Sequence, residues 1–266
     1  MKPLSDWTPP HSLRGVFFDI DDTLTTEGRL TGQAYAALER LHGAGLTVVP
    51  ITGRPAGWCD HIARMWPVDA VVGENGAFYF SYDRAARKLL KCYRDDDVTR
   101  ERNRARLTAV RDQILAAVPG AALASDQAYR EADLAIDYCE DVPRLDDRAI
   151  DRIVALMRAA GMTAKVSSIH VNGWFGEYDK LGMTRALAQE RFAVDLDARR
   201  ADYVFVGDSP NDAPLFAFFP NSIGVANVRA AAHRIERLPA YVTAASGGAG
   251  FAEVAGRLLA ERTPGR

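Results

Sequence analysis

Short apolar runs that each end at polar or glycine residues recur along the chain. Three runs in the first third of the sequence cover residues 15–18, 46–51 and 70–72. Three further runs, in the C-terminal quarter, cover residues 203–206, 223–225 and 241–243. Their apolar residues are continuous rather than alternating, which is typical of strands covered on both faces. The pattern therefore predicts a parallel β-sheet buried between two layers of helices.

A helical pattern lies between the first two predicted strands. In residues 35–42, Ala37, Leu38 and Leu41 have helical spacing, and Gly43 follows as a helix-ending residue. A strand, a helix and a second strand make a βαβ unit, and such units build an open sheet whose ligand crevice lies at the carboxyl ends of the strands. The predicted fold class is thus α/β, with a doubly wound parallel-sheet core.

The middle of the chain has a different pattern. Residues 98–118 and 145–160 form two long, charged helical patterns, and the apolar runs at 132–138 and 163–171 alternate with polar residues. Alternation predicts strands with one solvated face. We therefore predict a catalytic core made of residues 1–80 and 175–266, with an α+β cap domain of residues 81–174 inserted into it.

Composition excludes several classes of protein. The chain has 266 residues, of which 48% are hydrophobic and 26% are charged, so it is neither disordered nor fibrous. Lys and Arg number 33 against 35 Asp and Glu, a net charge of −2. No overall positive field favours nucleic acid or an anionic membrane. The predicted partner is a small molecule, and the chain is expected to be a monomer or a homodimer.

The cysteines and the N-terminus predict a cellular location. Cys59, Cys92 and Cys139 form no CxxC pair, so neither a disulfide framework nor a thiolate zinc site is indicated. No apolar run approaches the roughly 20 residues of a membrane span. Residues 1–14 carry prolines and charges where a signal peptide has its apolar region. These features predict a cytoplasmic protein.

A cluster of acidic residues follows the first predicted strand. Asp19, Asp21 and Asp22 lie within four residues of one another. Two like charges about 4 Å apart repel by about 4 kcal/mol at an effective dielectric constant of 20. A divalent ion with oxygen ligands, such as Mg²⁺, relieves that repulsion. The alternative is an acidic turn that caps the next helix.

A second acidic segment, residues 207–212, follows the strand at 203–206. If the two strands are neighbours, Asp19, Asp21 and Asp208 share one ion, and Asn211 and Asp212 lie in or near its outer shell. The alternative is a helix start, with Asp208 or Ser209 as the N-cap and Pro210 at the first helical position. Both interpretations are compatible.

Two further segments supply groups that suit a phosphate. Thr52, Gly53 and Arg54 offer a hydroxyl group and backbone N–H groups at the end of the second strand, suited to a phosphoryl oxygen. Lys180 precedes a helical pattern and supplies a positive charge. The alternative for Lys180 is an ordinary surface lysine.

In this order, the four segments resemble the motifs of the haloacid dehalogenase superfamily of phosphotransferases. Residues 19–23 resemble its DxDxT motif, Thr52 its second motif, Lys180 its third, and residues 207–212 its acidic fourth motif. The resemblance covers about residues 14–259. Asp22 is a departure, since many members have glycine there. The large insert, with the segment 73–77 (Gly-Glu-Asn-Gly-Ala), is similar to the type IIB, Cof-like branch, which has a C2-type cap.

The resemblance implies roles for the core residues. Asp19 would be the nucleophile that forms an aspartyl-phosphate, and Asp21 the general acid and base. Mg²⁺ would be held by the Asp19 carboxylate, the Asp21 backbone carbonyl and Asp208. Thr52 and Lys180 would bind the phosphoryl oxygens. Asn211 and Asp212 would orient Lys180 and metal-bound water.

The cap would select the substrate. Side chains suited to a sugar occur near its strands, and for each a purely structural role stays open. They are Arg130, Glu131, Lys165, Ser168, His170, Asn172 and Trp174. We expect Arg130, His170 and Asn172, with Gly53 and Arg54 of the core, to contact the substrate.

Three functions are compatible with this resemblance. The first is an Mg²⁺-dependent phosphatase of a small phosphorylated metabolite, such as a sugar phosphate. The second is a phosphomutase of the phosphomannomutase type. The third is a non-catalytic protein that binds a sugar phosphate, although such proteins are expected to lack Asp19 or Asp21. The sequence favours the phosphatase.

Overall fold

The computed structural model describes residues 1–260 of the chain. The last six residues of the predicted second core segment, 261–266, lie outside the described residues. The strands are β1 (Lys2–Pro3), β2 (Gly15–Phe18), β3 (Thr47–Pro50), β4 (Val71–Gly73), β5 (Phe78–Asp83), β6 (Lys88–Tyr93), β7 (Ala122–Leu123), β8 (Leu134–Asp137), β9 (Thr163–Val166), β10 (His170–Trp174), β11 (Tyr203–Gly207), β12 (Asn221–Gly224) and β13 (Tyr241–Val242). The helices are α1 (Gly32–Gly43), α2 (Ala56–Met65), α3 (Asp97–Ala117), α4 (Asp147–Ala159), α5 (Lys180–Phe192), α6 (Leu196–Arg199), α7 (Ala213–Phe218), α8 (Val228–Ala231) and α9 (Gly247–Ala260).

The core is a six-stranded parallel sheet in the order β1-β13-β12-β11-β2-β3. It confirms the predicted α/β fold class. Along β2, Phe18 packs in one apolar cluster with Leu38 and Phe251, whereas Phe17 packs in another with Leu187. Both faces of the sheet are therefore covered by helices, and the continuous apolar runs of the sequence follow from that arrangement.

The strand order brings together residues that are far apart in sequence. β2 pairs with β11 on one side and with β3 on the other, so that Phe18 lies opposite both Val206 and Pro50. The acidic segments after β2 and β11 consequently leave the sheet side by side. This register places the candidate catalytic side chains at one edge of the core sheet.

A three-stranded antiparallel segment, which we call the hairpin, extends the core beyond the predicted domain boundary. Strands β4, β5 and β6 form a three-stranded antiparallel sheet, in which Phe78 stacks on Phe80 at 4.3 Å between ring centroids. Both rings belong to the apolar cluster that covers the core sheet. The chain thus packs against the core as far as β6, beyond the predicted boundary at residue 80.

The remaining insert is a separate layered unit. Strands β7, β8, β10 and β9 form an antiparallel sheet in that order, and α3 and α4 share an apolar cluster with it that includes Ile114, Ile136 and Ile153. The predicted strand at 163–171 is instead two antiparallel strands, β9 and β10. Ser167 turns the chain between them, because its hydroxyl oxygen accepts a hydrogen bond from the His170 backbone N–H at 3.0 Å. We refer to residues 97–174 as the cap. No helix within residues 1–260 is both long and apolar enough to cross a bilayer.

Gly76 controls how closely the hairpin approaches the start of α5. Its φ is +104°, and a Cβ atom there would lie 2.1 Å from the Asp179 carbonyl oxygen. Asp179 is the N-cap of α5, since its carboxylate accepts the Gly182 N–H at 2.7 Å. Gly76 therefore fixes the position of the helix whose first residue is Lys180.

We predict that Gly76→Ala lowers the free energy of unfolding by about 3 kcal/mol, because the backbone conformation is strained for alanine and the Cβ meets backbone atoms. Gly256→Ala is the matched control: Gly256 lies in α9 with open space around it, and alanine favours a helix over glycine by about 1 kcal/mol. Urea unfolding of both variants checks the prediction. Equal stability of the two variants would contradict it.

Candidate active site

Three buried carboxylates meet where β2 and β11 end. Carboxylate oxygens of Asp19, Asp208 and Asp212 all lie within 4.8 Å of one another. The Asp19 backbone N–H donates to the Val206 carbonyl at 2.9 Å and so continues the ladder between the two strands by one residue. Adjacent strand ends thus place two segments almost 190 residues apart at one point of the sheet edge.

Lys180 is the cation of this cluster. Its Nζ lies 2.7 Å from Asp19 Oδ1 and 2.7 Å from Asp212 Oδ1, and its side chain is 1% exposed. The surface-lysine alternative is therefore wrong. One lysine faces three carboxylates, so the cluster keeps an excess of negative charge.

Burial and the neighbouring charges shift the pKa values of these groups. Burial raises the pKa of Asp19 to about 8, although Lys180 opposes the shift. Burial, together with the charges of Asp19 and Asp212, also raises the pKa of Asp208 well above its ordinary value. A further cation at this point would keep both carboxylates ionised at neutral pH.

The donor set fits a divalent cation with oxygen ligands. Each Asp208 oxygen has one hydrogen-bond donor, Thr23 Oγ1 at 3.2 Å or Asn227 Nδ2 at 2.9 Å, which leaves lone pairs for a metal. Asp212 is more fully used, because Lys180 holds one oxygen and the backbone N–H groups of Asp208 and Ser209 donate to the other at 3.1 and 3.3 Å. Asp19 and Asp208 are therefore better placed than Asp212 to ligate an ion.

The segment after β11 is also a helix start. Ser209 takes the N-cap conformation, Pro210 follows at the first helical position, and Asp212 completes a capping box. The helix-start and acidic-site interpretations thus hold together. Asn211 is buried and donates through Nδ2 to Asn75 Oδ1 at 3.2 Å. The segment after β4 is consequently tied to the same edge of the sheet.

Thr52 and Gly53 lie beside this cluster. Thr52 is fully buried, and its Oγ1 accepts the Arg54 backbone N–H at 3.0 Å while the hydroxyl proton is free to donate elsewhere. A Cβ on Gly53 would lie 3.1 Å from Asn75 Nδ2. Glycine at position 53 therefore lets the backbone approach Asn75 closely.

Asp21 points away from the carboxylate cluster. Arg54 Nε donates to its two carboxylate oxygens at 2.9 and 3.1 Å, and Arg54 Nη2 lies 2.8 Å from Oδ1. The residue pattern alone predicted that the Asp21 carboxylate shares an ion with Asp19 and Asp208. In the structure this carboxylate lies outside the cluster, because the Arg54 guanidinium holds it toward the cap.

Arg54 forms ion pairs with three carboxylates. Besides Asp21, it contacts two cap residues: Nη1 lies 3.3 Å from Asp126 Oδ2, and Nη2 donates to Glu140 Oε1 at 2.6 Å. Its Cζ lies 4.3 Å from the centroid of the Trp58 ring. The predicted substrate contact of Arg54 is replaced, in this arrangement, by a contact between the core and the cap.

Two cap residues expected near a substrate are structural instead. Arg130 has no exposed side-chain surface, and its guanidinium is used by Asp126, Asp133 and the Gly53 carbonyl, the last at 2.8 Å. Trp174 is buried and stacks on a neighbouring tyrosine ring at 5.3 Å. Burial with satisfied partners removes both from the surface that a ligand can reach.

His170 and Asn172 do face the candidate site. With Asp19, Asp21 and Asn211 they line a cavity of about 10 Å³ between the core and the cap. His170 Nε2 lies 2.9 Å from Glu140 Oε2, and Asn172 Nδ2 donates to Asp133 Oδ2 at 2.9 Å. The cavity holds at most one water molecule, so the cap closes over Asp19 in this structure.

Sequence reasoning missed Glu74 as a contact between the two parts. Its buried carboxylate accepts the backbone N–H groups of three consecutive cap residues, Glu131, Ala132 and Asp133, at 2.6–3.2 Å. It also accepts the Ala56 N–H at 3.0 Å. The only sequence signal was its position after a predicted strand, in the segment 73–77.

Asp22 has an unusual backbone conformation, and Asn227 contacts its carbonyl group. Asp22 has a φ of +55°, in the left-handed region that glycine adopts most readily and Asp tolerates. The departure from the glycine expected at this position is therefore compatible with the backbone of the loop. Asn227 donates to the Asp22 carbonyl at 2.9 Å as well as to Asp208, so it ties the two acidic loops together.

Comparisons with known proteins agree with the resemblance of the motifs. Residues 16–100 match the family model of haloacid dehalogenase-like hydrolases, which confirms the resemblance predicted from the motifs. Among curated proteins, none matches the chain significantly.

Several solved structures share the fold over nearly their whole length. The C-terminal domain of trehalose-6-phosphate phosphatase from C. albicans aligns with a TM-score of 0.67 at 12% identity, covering 97% of this chain and 100% of that one. A putative HAD/COF-like hydrolase from Plasmodium vivax gives 0.66 at 16% identity, covering 94% and 96%. Sucrose-phosphatase from Synechocystis, in complex with sucrose and phosphate, gives 0.59 at 16% identity, covering 91% and 96%. These likenesses establish the fold.

We predict that Lys180→Met lowers the free energy of unfolding by about 3 kcal/mol, because it leaves Asp19 and Asp212 as buried carboxylates without their cation. Lys88→Met, on the exposed side of β6, is the control and should change stability by no more than about 0.5 kcal/mol. Urea unfolding without added metal measures both. A Lys180→Met variant as stable as Lys88→Met would show that the cluster does not depend on this lysine.

Proposed function

We propose that this chain, similar to haloacid dehalogenase-like hydrolases, is a divalent-metal-dependent phosphatase of a small phosphorylated metabolite, a sugar phosphate, with Asp19 as its nucleophile. The observation that carries the proposal is the buried cluster of Asp19, Lys180, Asp208 and Asp212. A carboxylate beside a lysine, in a cluster that can hold a divalent cation, suits attack on a phosphate ester, because the two cations offset the charge of the ester.

Mg²⁺ is the metal we propose, with Asp19, Asp208 and the Asp21 backbone carbonyl as its protein ligands. When bound, it supplies positive charge that offsets the charges of the phosphate and the nucleophile. Asp212 and Asn211 then act from outside the ligand set. Asp212 holds Lys180 in place at 2.7 Å, and Asn211 ties this loop to Asn75.

In the first step, an Asp19 carboxylate oxygen attacks phosphorus, and the bond between phosphorus and the ester oxygen breaks. Asp21 gives its proton to the departing alkoxide, which leaves as an alcohol. Thr52 and Lys180 bind the phosphoryl oxygens. Lys180 is well suited to this because it already contacts Asp19 at 2.7 Å.

In the second step, water attacks phosphorus of the aspartyl-phosphate. Asp21, now ionised, takes a proton from that water, the bond between phosphorus and the Asp19 oxygen breaks, and inorganic phosphate forms. The Asp19 carboxylate and protonated Asp21 are regenerated. The sum of the two steps is a phosphate monoester plus water giving an alcohol plus phosphate.

A pocket beside Asp21 suits the leaving alcohol. A cavity of about 350 Å³ lies between the core and the cap, and polar and charged residues line most of it. They include Asp21, Asp22, Glu27, Arg54, Glu140, Arg144 and Ser168. The several hydroxyl groups of a sugar can exchange hydrogen bonds with such side chains, whereas an alkyl chain cannot. The named sugar phosphatases with the same fold support this substrate class.

The closed cavity around Asp19 requires the cap to move. A space of about 10 Å³ admits no phosphate group, so the substrate enters only when the cap has shifted away from the core. Closure then surrounds the reacting atoms with Asp19, Asp21, His170 and Asn172 and excludes bulk water. This exclusion strengthens the electrostatic contacts made to the phosphoryl group.

The test of the proposed function is phosphate release across a panel of sugar phosphates and other metabolite phosphates, with Mg²⁺ and with a chelator. The wild type should hydrolyse at least one sugar phosphate only when Mg²⁺ is present, and Asp19→Asn should abolish that release. Asp112→Asn, an exposed carboxylate on α3, is the control and should keep full activity. Release that survives Asp19→Asn would refute the assigned nucleophile. Turnover only with a sugar bisphosphate activator would indicate a mutase.

Metal binding has a second, independent readout. Mg²⁺ at 100 times its dissociation constant should stabilise the wild type by about 2.7 kcal/mol, seen as a rise in melting temperature. Asp208→Asn should respond weakly to Mg²⁺, because an amide lacks the negative charge that holds the ion. Asp112→Asn should respond as the wild type does. The same Mg²⁺ response in all three proteins would place the ion elsewhere.

A further inference from the structure

We infer that Glu140, a cap residue, is a positioning residue for Asp21 and acts through Arg54. The inference rests on the proposed function, in which Asp21 is the general acid and base. It adds a residue of the cap that touches neither the phosphate nor the nucleophile, and whose contribution depends on the cap being closed.

Arg54 is the link between the two carboxylates. Its Nη2 donates to Glu140 Oε1 at 2.6 Å and lies 2.8 Å from Asp21 Oδ1, so one nitrogen is shared by a core carboxylate and a cap carboxylate. The Arg54 side chain is only 5% exposed. A planar guanidinium whose partners are fixed on one side presents its other donors in fixed directions. Glu140, together with Asp126 at 3.3 Å from Arg54 Nη1, therefore sets the orientation in which Arg54 holds Asp21.

Glu140 is itself held firmly. The Glu140 backbone N–H donates to Asp137 Oδ1 at 2.8 Å, in a turn where the same aspartate also accepts the N–H groups of Cys139 and Asp141 at 2.9 and 2.8 Å. Its Oε2 lies 2.9 Å from His170 Nε2. Burial would raise the pKa of Glu140, but the contacts with His170 and Arg54 outweigh burial and lower it to about 2, so the group is ionised at neutral pH.

These contacts cross from the cap to the core. His170 and Glu140 belong to the cap, whereas Arg54 and Asp21 follow the core strands β3 and β2. Displacing the cap separates Glu140 and Asp126 from Arg54, so that the guanidinium keeps its contacts with Asp21 and Trp58 but loses the cap carboxylates that help to orient it. The chain of contacts thus couples closure of the cap to the orientation of the group that protonates the leaving alkoxide.

A simple test follows from the leaving group. p-Nitrophenolate departs without a proton, whereas an alkoxide needs one, so misorientation of Asp21 affects only the second. We compare kcat/KM of the wild type and Glu140→Gln for p-nitrophenyl phosphate and for ethyl phosphate, because kcat/KM reports the steps through departure of the alcohol. Neither ester carries sugar hydroxyls for Glu140 to bind directly.

Glu140→Gln should lower kcat/KM for ethyl phosphate by about 10- to 100-fold, which is part of what a general acid contributes. For p-nitrophenyl phosphate the change should stay within about 3-fold. Asp141→Asn, an exposed neighbour that joins the turn only through its backbone, is the matched control and should leave both values unchanged. Thermal unfolding of each variant establishes that it is folded.

Two results would overturn the inference. Equal losses for the two esters would mean that Glu140 only docks the cap, and no loss for either would mean that Arg54 holds Asp21 without it. Absence of all turnover by the wild type, on these esters and on the sugar phosphates, is a different result: it would refute the proposed function, and the role of Glu140 with it.

Discussion

The structure depends on one buried excess of negative charge at the edge of a parallel sheet. Asp19, Asp208 and Asp212 lie within reach of a common ion, and Lys180 alone offsets them among the groups that contact them directly in residues 1–260. Such a cluster is unfavourable in an apolar core. Clusters of this kind occur most often where the charges bind a ligand or take part in a reaction. Gly76 lets the start of α5 pack closely against the hairpin. This position of α5 places Lys180 at the strand ends.

Many of the contacts between the core and the cap are polar. Glu74 accepts backbone N–H groups of the cap, Arg130 donates back to the core at Gly53, and Arg54 reaches Asp126 and Glu140. An interface of this type separates at less cost than a fused apolar core, since water can replace hydrogen bonds and ion pairs as the surfaces part. In the proposed mechanism, binding of a substrate, closure of the cap and orientation of Asp21 are therefore linked through the same side chains.

Much of the core could be predicted from the sequence because short, continuous segments of the chain determine its strands and the polar residues that follow them. A continuous apolar run predicts a covered strand, and the polar residues after it lie at the carboxyl end, which is why Asp19, Thr52 and Asp208 were found together. Contacts across the insert carry no such signal: nothing near Arg54 indicates that Glu140, 86 residues later, is its partner. The turn at Ser167 and the hairpin that ends at Tyr93 were missed for a related reason, since tertiary packing rather than periodicity decides where those strands end.

The central claim is that Asp19 becomes covalently phosphorylated. The most direct measurement is to mix the protein with Mg²⁺ and acetyl phosphate, quench the mixture in acid during the first turnover, and locate the modification by peptide mass spectrometry. The account predicts one phosphoryl group, on the peptide that contains Asp19, and its release as phosphate at neutral pH. A phosphoryl group on another residue, or hydrolysis of acetyl phosphate with an unmodified Asp19 throughout, would contradict it.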